Sequence, residues 1–134
     1  NCKSYVETDL VTATLIKYTI NSYLATKVSF FNELKKIFIR ANANDSWENF
    51  ISHLQKDSRL GDSHMSVPGH DGKDGFGGAC LPKDSIALLN FYKEYDLDFK
   101  VLKSAIDVNN VIRDKYNDDP REREQRINFK KSIT

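Results

Sequence analysis

Cys80 sits in the run Gly75-Phe-Gly-Gly-Ala-Cys80-Leu-Pro-Lys-Asp84, and its neighbours suit a reactive thiol. The glycines at 75, 77 and 78 allow positive φ and a close approach of backbone to a ligand. Pro82 has the fixed φ and the missing N–H that fit the first turn of a helix. Together they predict Cys80 at or just before a helix N-terminus, where the dipole favours the thiolate, the nucleophilic form. The competing reading is a buried structural cysteine, since free Cys is among the most buried residue types. The turn before it and the helix start after it weigh against that reading. Asp84 stands where Asp often caps free N–H groups, so a capping role and a chemical role are both open to it.

A second group lies upstream. Lys17 and Asn21 are four residues apart on a predicted helix and therefore share a face. Solvent exposure would explain them on spacing alone, yet Lys17 lies between Ile16 and Tyr18 in a densely apolar stretch. Between the two groups runs the loop Pro68-Gly69-His70-Asp71-Gly72-Lys73. His70 invites a reading as a base, although an exposed loop histidine is the simpler one. Three scattered His and two distant Cys do not make a metal-ligand set, so no metal is expected.

The elements that must position these residues are helices. From Asp9 to Ala41 there is no Pro or Gly, and Leu10, Ala13, Ile16, Ile20, Leu24, Val28, Phe31, Leu34 and Phe38 recur at spacings of three and four. That periodicity predicts the buried face of one long helix. A second series, Val11, Leu15, Tyr18, Ala25, Phe30 and Ile37, widens the apolar surface until the helix needs neighbours on more than one side. A dimer partner or a further domain would supply them. Asn42-Ala-Asn-Asp45 breaks the helix, and Asp45 with Glu48 resembles a capping box for a short helix over 46–57. Residues 58–79, rich in glycine, form a long loop, which in a compact domain is functional or disordered. A helix over 83–95 should bury Ala87, Leu88, Phe91 and Tyr95, and another over 99–116 should bury Leu102, Ala105, Ile106, Asn109 and Ile112. The charged residues 117–134, with Asp118-Asp-Pro120 as a breaker, are expected to be loosely ordered. The fold class is all-α, with residues 1–8 as a linker, 9–116 as one domain and 117–134 as a tail.

At 134 residues the chain can bury a real core, and its 40% apolar and 29% charged residues are those of a globular protein. A net charge of +1 gives no case for nucleic acid or a membrane surface. No apolar run is long enough to span a bilayer, and no signal peptide is visible. Cys2 and Cys80 read as reduced thiols of a cytoplasmic protein. There is no Gly-x-Gly-x-x-Gly turn after a strand, so no dinucleotide-binding fold is expected within these residues.

The cysteine run closely resembles the nucleophile loop of the UDP-glucose/GDP-mannose dehydrogenase family, enzymes that oxidise a nucleotide sugar to its uronic acid. Lys17-Tyr-Thr-Ile-Asn21, followed by Leu24-Ala-Thr-Lys-Val-Ser-Phe-Phe-Asn-Glu33, is similar to a second motif of that family, in the family's order. The likeness covers roughly 7–112, the family's central domain. It implies a multihelical domain built around long antiparallel helices, similar to the 6-phosphogluconate dehydrogenase C-terminal-like fold. The flanking NAD-binding and nucleotide-sugar-binding domains are not recognisable, so the chain is expected to be an excised or split central domain, incomplete by itself.

The resemblance also implies roles. Cys80 would attack an aldehyde on the way to a thioester. Lys17 and Asn21 would stabilise the oxyanion, and Asp84 would order that cluster and activate the hydrolytic water. Gly69, His70, Asp71, Gly72, Lys73 and Gly77 would wrap the nucleotide sugar. Lys83 would approach NAD, and Arg59 would reach a substrate held by the second subunit of a homodimer formed through the long helix. The loop 61–74 is longer than in many relatives, and Ala79 and Leu81 flank the cysteine where other residues are frequent, which bears on substrate choice. The Gly-Phe-Gly-Gly-x-Cys form looks more like the UDP-glucose branch. The alternatives are another nucleotide sugar, such as GDP-mannose, or a non-catalytic helical dimerisation module.

Overall fold

The computed structural model describes residues 5–117 and 119–129. Cys2 and the last five tail residues lie outside them. Among the described residues the chain is all-helical, as expected: α1 (Leu10–Arg40), α2 (Trp47–Leu54), α3 (Cys80–Glu94), α4 (Lys100–Arg113) and α5 (Pro120–Glu124). None of these helices is long and apolar enough to cross a membrane.

The long α1 begins where Asp9 accepts hydrogen bonds from the Thr12 N–H at 3.0 Å and the Thr12 hydroxyl at 2.7 Å. Such a cap satisfies an orphan donor of the first turn. It ends at Arg40, and Asn42 then takes a left-handed φ of 51°, which Asn tolerates better than most residues. Small residues make its middle a docking strip. Ser22, Ala25 and Ser29 are buried, α3 and α4 pack there, and the Ser29 hydroxyl donates to the Ala105 carbonyl at 2.7 Å.

Two apolar clusters follow. Ala25, Phe76, Leu88, Leu89, Leu102 and Ile106 join α1, α3, α4 and the glycine-rich loop. Full burial of a side chain such as Leu89 or Leu102 contributes about 1.5–3 kcal/mol. The second cluster seats α2 on the far end of α1 through Phe31, Trp47, Ile51, Met65 and Val67. The rings of Phe38 and Trp47 meet edge-on there, 5.5 Å apart.

Four expectations are corrected. The cap of α2 is Ser46, whose hydroxyl accepts from the Asn49 N–H, rather than Asp45; Ser46 is the residue with extended backbone. Asp45, one position early, accepts instead from the Asn49 side chain. That helix stops at Leu54 because three-residue turns take over, closed from Lys56 to His53 and from Asp57 to Leu54. Next, α3 begins three residues earlier than predicted, so Cys80 is its first residue and Asp84 lies in its second turn, not at its cap. Third, the first third of α1 finds no cover: Leu10 is 83% exposed and Ile20 53%, and Tyr95, just past the end of α3, is also exposed. On another side of the same stretch a groove of about 830 Å³ opens, lined by Val11, Leu15, Tyr23, Phe91 and Tyr95 among others. Fourth, the part of the tail described is docked rather than loose. Asp119 and Glu122 form a reciprocal capping box around Pro120, and Glu122, Ile127 and Phe129 are buried.

Candidate active site

Asp84 is the centre of the polar cluster. It is 1% exposed, and α3 aims it at α1. Its Oδ2 accepts from the Asn21 amide at 2.6 Å and its Oδ1 from the Lys83 ammonium at 2.7 Å. A buried carboxylate is tolerable only when its oxygens are satisfied, and both are. Burial pushes the Asp84 carboxyl up, but the hydrogen bonds from Lys83 and Asn21 and the charges of Lys83 and Lys17 outweigh it. The net result lies below the usual carboxylate range. The Asp84 bond holds Lys83, in turn, above the ordinary lysine value, with the nearby Tyr18 and Cys80 adding to the effect.

Four residues predicted from sequence are thereby brought together: Asn21 and Lys83 by direct bonds to Asp84, and Lys17 by its field on the same carboxylate. Lys17 also stands 5.9 Å from the centre of the Tyr18 ring. Cys80 is exposed and four residues before Asp84, on the same side of α3. A thiol at the first helical residue faces the unpaired N–H groups and positive end of the dipole.

The turn that delivers Cys80 is clamped by side chains from three helices. The Gly75 N–H donates to Asn32 of α1 at 3.0 Å, the Phe76 N–H to Asn109 of α4 at 2.6 Å, and the Gly78 N–H to Glu122 of α5 at 3.0 Å. Asn109, fully buried, also donates to the Phe76 carbonyl at 2.9 Å, which uses both ends of its amide. Gly75 and Gly78 have φ near +75°, and a Cβ on Gly75 would run into the Asn109 side chain. Asn32, Glu122 and Arg113 were not singled out by sequence. Two signals among them were readable: Asn32 stands inside the Leu24–Glu33 motif, and Asp119-Pro-Arg-Glu122 has the spacing of a capping box.

A cleft of about 450 Å³ opens beside this turn, lined by Gly69, His70, Asp71, Gly77, Arg113 and Arg121 among others. Of the predicted loop residues, Gly69, His70, Asp71 and Gly77 therefore border one space, whereas Gly72 and Lys73 do not line it. The loop closes on itself: the Gly69 N–H reaches the Lys73 carbonyl and the Gly72 N–H the Gly69 carbonyl. Asp71 receives the buried Arg113 guanidinium at 2.7 Å, and Lys73 donates to the Asn117 carbonyl at 2.7 Å. His64 shares the cleft, and its own burial, followed by the charges of Lys27 and His70, pulls its pKa down. Arg59 is on the outer surface, paired with Asp57 at 2.6 Å and 87% exposed, away from this cleft.

Residues 11–111 match the UDP-glucose/GDP-mannose dehydrogenase family, central domain. The UDP-glucose 6-dehydrogenase of Rickettsia felis is 39% identical over 105 residues, covering 78% of this chain and 22% of that protein. The Rickettsia typhi protein of the same name is 38% identical over 107 residues, covering 80% and 23%. A UDP-glucose 6-dehydrogenase of Bacillus subtilis is 38% identical over 104 residues, covering 78% and 22%. The chain spans about a fifth of the length of the curated relatives it matches.

Proposed function

The chain belongs to the UDP-glucose/GDP-mannose dehydrogenase family, and from that premise we propose that it is the central, nucleophile-bearing part of a UDP-glucose 6-dehydrogenase. The observation that carries this reading is the buried Asp84, holding Asn21 and Lys83 one turn beyond an exposed Cys80 at a helix start. The substrate is a nucleotide sugar in the cleft bordered by Gly69, His70, Asp71 and Gly77, with Arg113 and Arg121 as cations at its wall. NAD, held chiefly outside this chain, would supply the hydride acceptor for each of the two oxidations. Lys83 suits a diphosphate there: its side chain keeps 42% of its exposure despite the ion pair and lines a pocket of about 460 Å³ with Arg126 and Asn90.

This chain's residues act on the sugar's C6. Once the alcohol has lost a proton and a hydride, the Cys80 thiolate adds to the aldehyde carbon and the carbonyl oxygen becomes an oxyanion. Lys17 offers it positive charge and Asn21 an amide N–H. Donors of this kind contribute roughly 3 kcal/mol each in other enzymes. Loss of the second hydride leaves a thioester. Water then adds, and the thiolate departs as the C6 carboxylate forms, a step for which sulfur is the better leaving group. Both Asp84 oxygens are occupied and its pKa is held down. These facts favour a part for Asp84 in orienting Asn21 and Lys17 over one as the proton acceptor. The gene product should therefore form two NADH per UDP-glucose, read at the nicotinamide absorbance. No NADH from UDP-glucose, GDP-mannose or a UDP-N-acetylated sugar would leave a helical dimerisation module instead.

The second subunit is part of the same proposal. The uncovered apolar surface of α1, with Leu10, Val11, Ile16 and Ile20 exposed, suits a second copy of the helix, and Arg59 on the outer surface would exchange its Asp57 partner to reach across. Burying such side chains is worth about 1.5–3 kcal/mol each. Sedimentation equilibrium should find a dimer that Ile20→Glu converts to monomer without loss of helicity. A monomeric wild type would remove this part of the reading.

A further inference from the structure

We propose that Glu122 is a positioning residue for Cys80, an inference that rests on the dehydrogenase reading for its chemistry. Glu122 lies beyond residues 11–111, in a segment that composition alone marks as a charged tail. It is nonetheless 1% exposed. A carboxylate is not buried without partners, and its two oxygens have different ones. Oε2 accepts from the Asp119 N–H at 2.9 Å, which closes the capping box of α5. Oε1 accepts from the Gly78 N–H at 3.0 Å, 44 residues away in sequence.

Gly78 is two residues before the nucleophile and has a φ of 74°. It is the left-handed joint through which the loop turns into α3, so the direction of the first helical turn, and of the Cys80 side chain, depends on how that joint is held. Asn32 and Asn109 fix the entrance of the turn at Gly75 and Phe76 with neutral amides. Glu122 fixes its exit with a carboxylate, and charge-assisted bonds are roughly twice as strong as neutral ones.

Gly77 supports the same conclusion. A Cβ placed there would collide with the Arg113 guanidinium and with Glu122 Oε1. Its missing side chain thus makes room from the inside for the buried acid and base that press on the turn, besides any approach of substrate from the outside. Arg113, 3% exposed, lies against that same glycine and gives its ion pair to Asp71.

Three variants of the protein as expressed from its gene test this. Glu122→Ala removes both side-chain bonds, Asp119→Ala removes only the half of the capping box in which the Asp119 side chain accepts from the Glu122 N–H and leaves an acceptor for Gly78, and Glu122→Gln keeps an oxygen facing the Gly78 N–H. Misplacing a reacting group by about 1 Å costs roughly 100-fold, so Glu122→Ala should lose about that factor in kcat with KM within about threefold. Asp119→Ala and Glu122→Gln should stay within about fivefold of wild type, because the Gly78 bond survives in both. Full activity in Glu122→Ala, or an equal loss in Asp119→Ala, would overturn the proposal. A wild type that oxidises no nucleotide sugar would sink the dehydrogenase reading separately, and alkylation of Cys80 by iodoacetamide would then decide. A rate altered by about threefold or more in Glu122→Ala but not in Asp119→Ala sustains the positioning role, and equal rates refute it.

Discussion

Cys80→Ala should abolish conversion of UDP-glucose to UDP-glucuronate, with net turnover falling by about 10⁴-fold or more, while the protein stays as stable as wild type. The size of the effect follows from covalent catalysis: removing a nucleophile leaves only the background provided by binding and oxyanion donors. Without the thiol no thioester forms, so the second hydride has no covalent intermediate to leave from. The lack of a stability cost follows from position. Cys80 is exposed, so its truncation opens no cavity, and surface changes of this sort stay within about 0.5 kcal/mol. The variant therefore separates chemistry from folding. NADH formation beside thermal unfolding, for wild type and variant, checks both halves. Activity that survives the substitution would remove the thioester route whatever else the enzyme does.

Much of this was legible because the signals are local. The absence of Pro and Gly from Asp9 to Ala41, with its dense apolar pattern, set α1 within one residue at each end. The i, i+3, i+4 series on α4 named its buried residues, including the polar Asn109, except Arg113. The glycine-rich run followed by Pro82 placed Cys80 at a helix start. What stayed hidden depends on partners far along the chain. Asn32 and Asn109 sit on apolar faces as single polar residues, which says that each must find a hydrogen-bond partner without saying which one. Their partners are backbone groups 43 and 33 residues away. Glu122 was harder still, since a segment rich in charge reads as solvated until the fold shows Ile127 and Phe129 buried beside it. The exposed start of α1 erred the other way: periodicity reports that a face is apolar, but not which molecule covers it. The loop shows both outcomes. His70 and Gly77 reach the cleft, while Lys73 spends its charge on the Asn117 carbonyl.

Asp84→Asn is expected to slow both oxidations by about 10³-fold, the upper range for loss of an oxyanion-hole donor, and to weaken the fold in a way that depends on pH. The rate argument turns on what Asp84 touches. Its carboxylate fixes the Asn21 amide at 2.6 Å and lies in the field of Lys17. An asparagine there would set an amide against an amide and give up the charge that holds both donors. Since these donors face the C6 oxygen both as the alkoxide that loses the first hydride and as the oxyanion that forms when Cys80 adds, the first NADH in a single-turnover experiment should slow along with the second. A proton acceptor needed only for hydrolysis would instead leave the first NADH fast and let a covalent sugar adduct build up on Cys80, visible by mass spectrometry. The stability argument has a definite sign. Hydrogen bonds and neighbouring cations bring the Asp84 pKa below its ordinary 3.8 despite burial. A carboxyl depressed in the folded state adds stability that is fully present above its unfolded pKa and is lost as pH falls through the folded one. At neutral pH the variant should be less stable by about 1.5–3 kcal/mol, the range for a hydrogen bond to a charged group. The lower half is favoured because the Lys83 side chain is 42% exposed and solvent screens that pair. Wild type and variant should converge in denaturant midpoint below about pH 4, where unfolded carboxyls protonate. A stability gap that is the same at pH 3 and pH 7 would mean that the two bonds act through shape alone, and that charge at Asp84 does nothing for the fold.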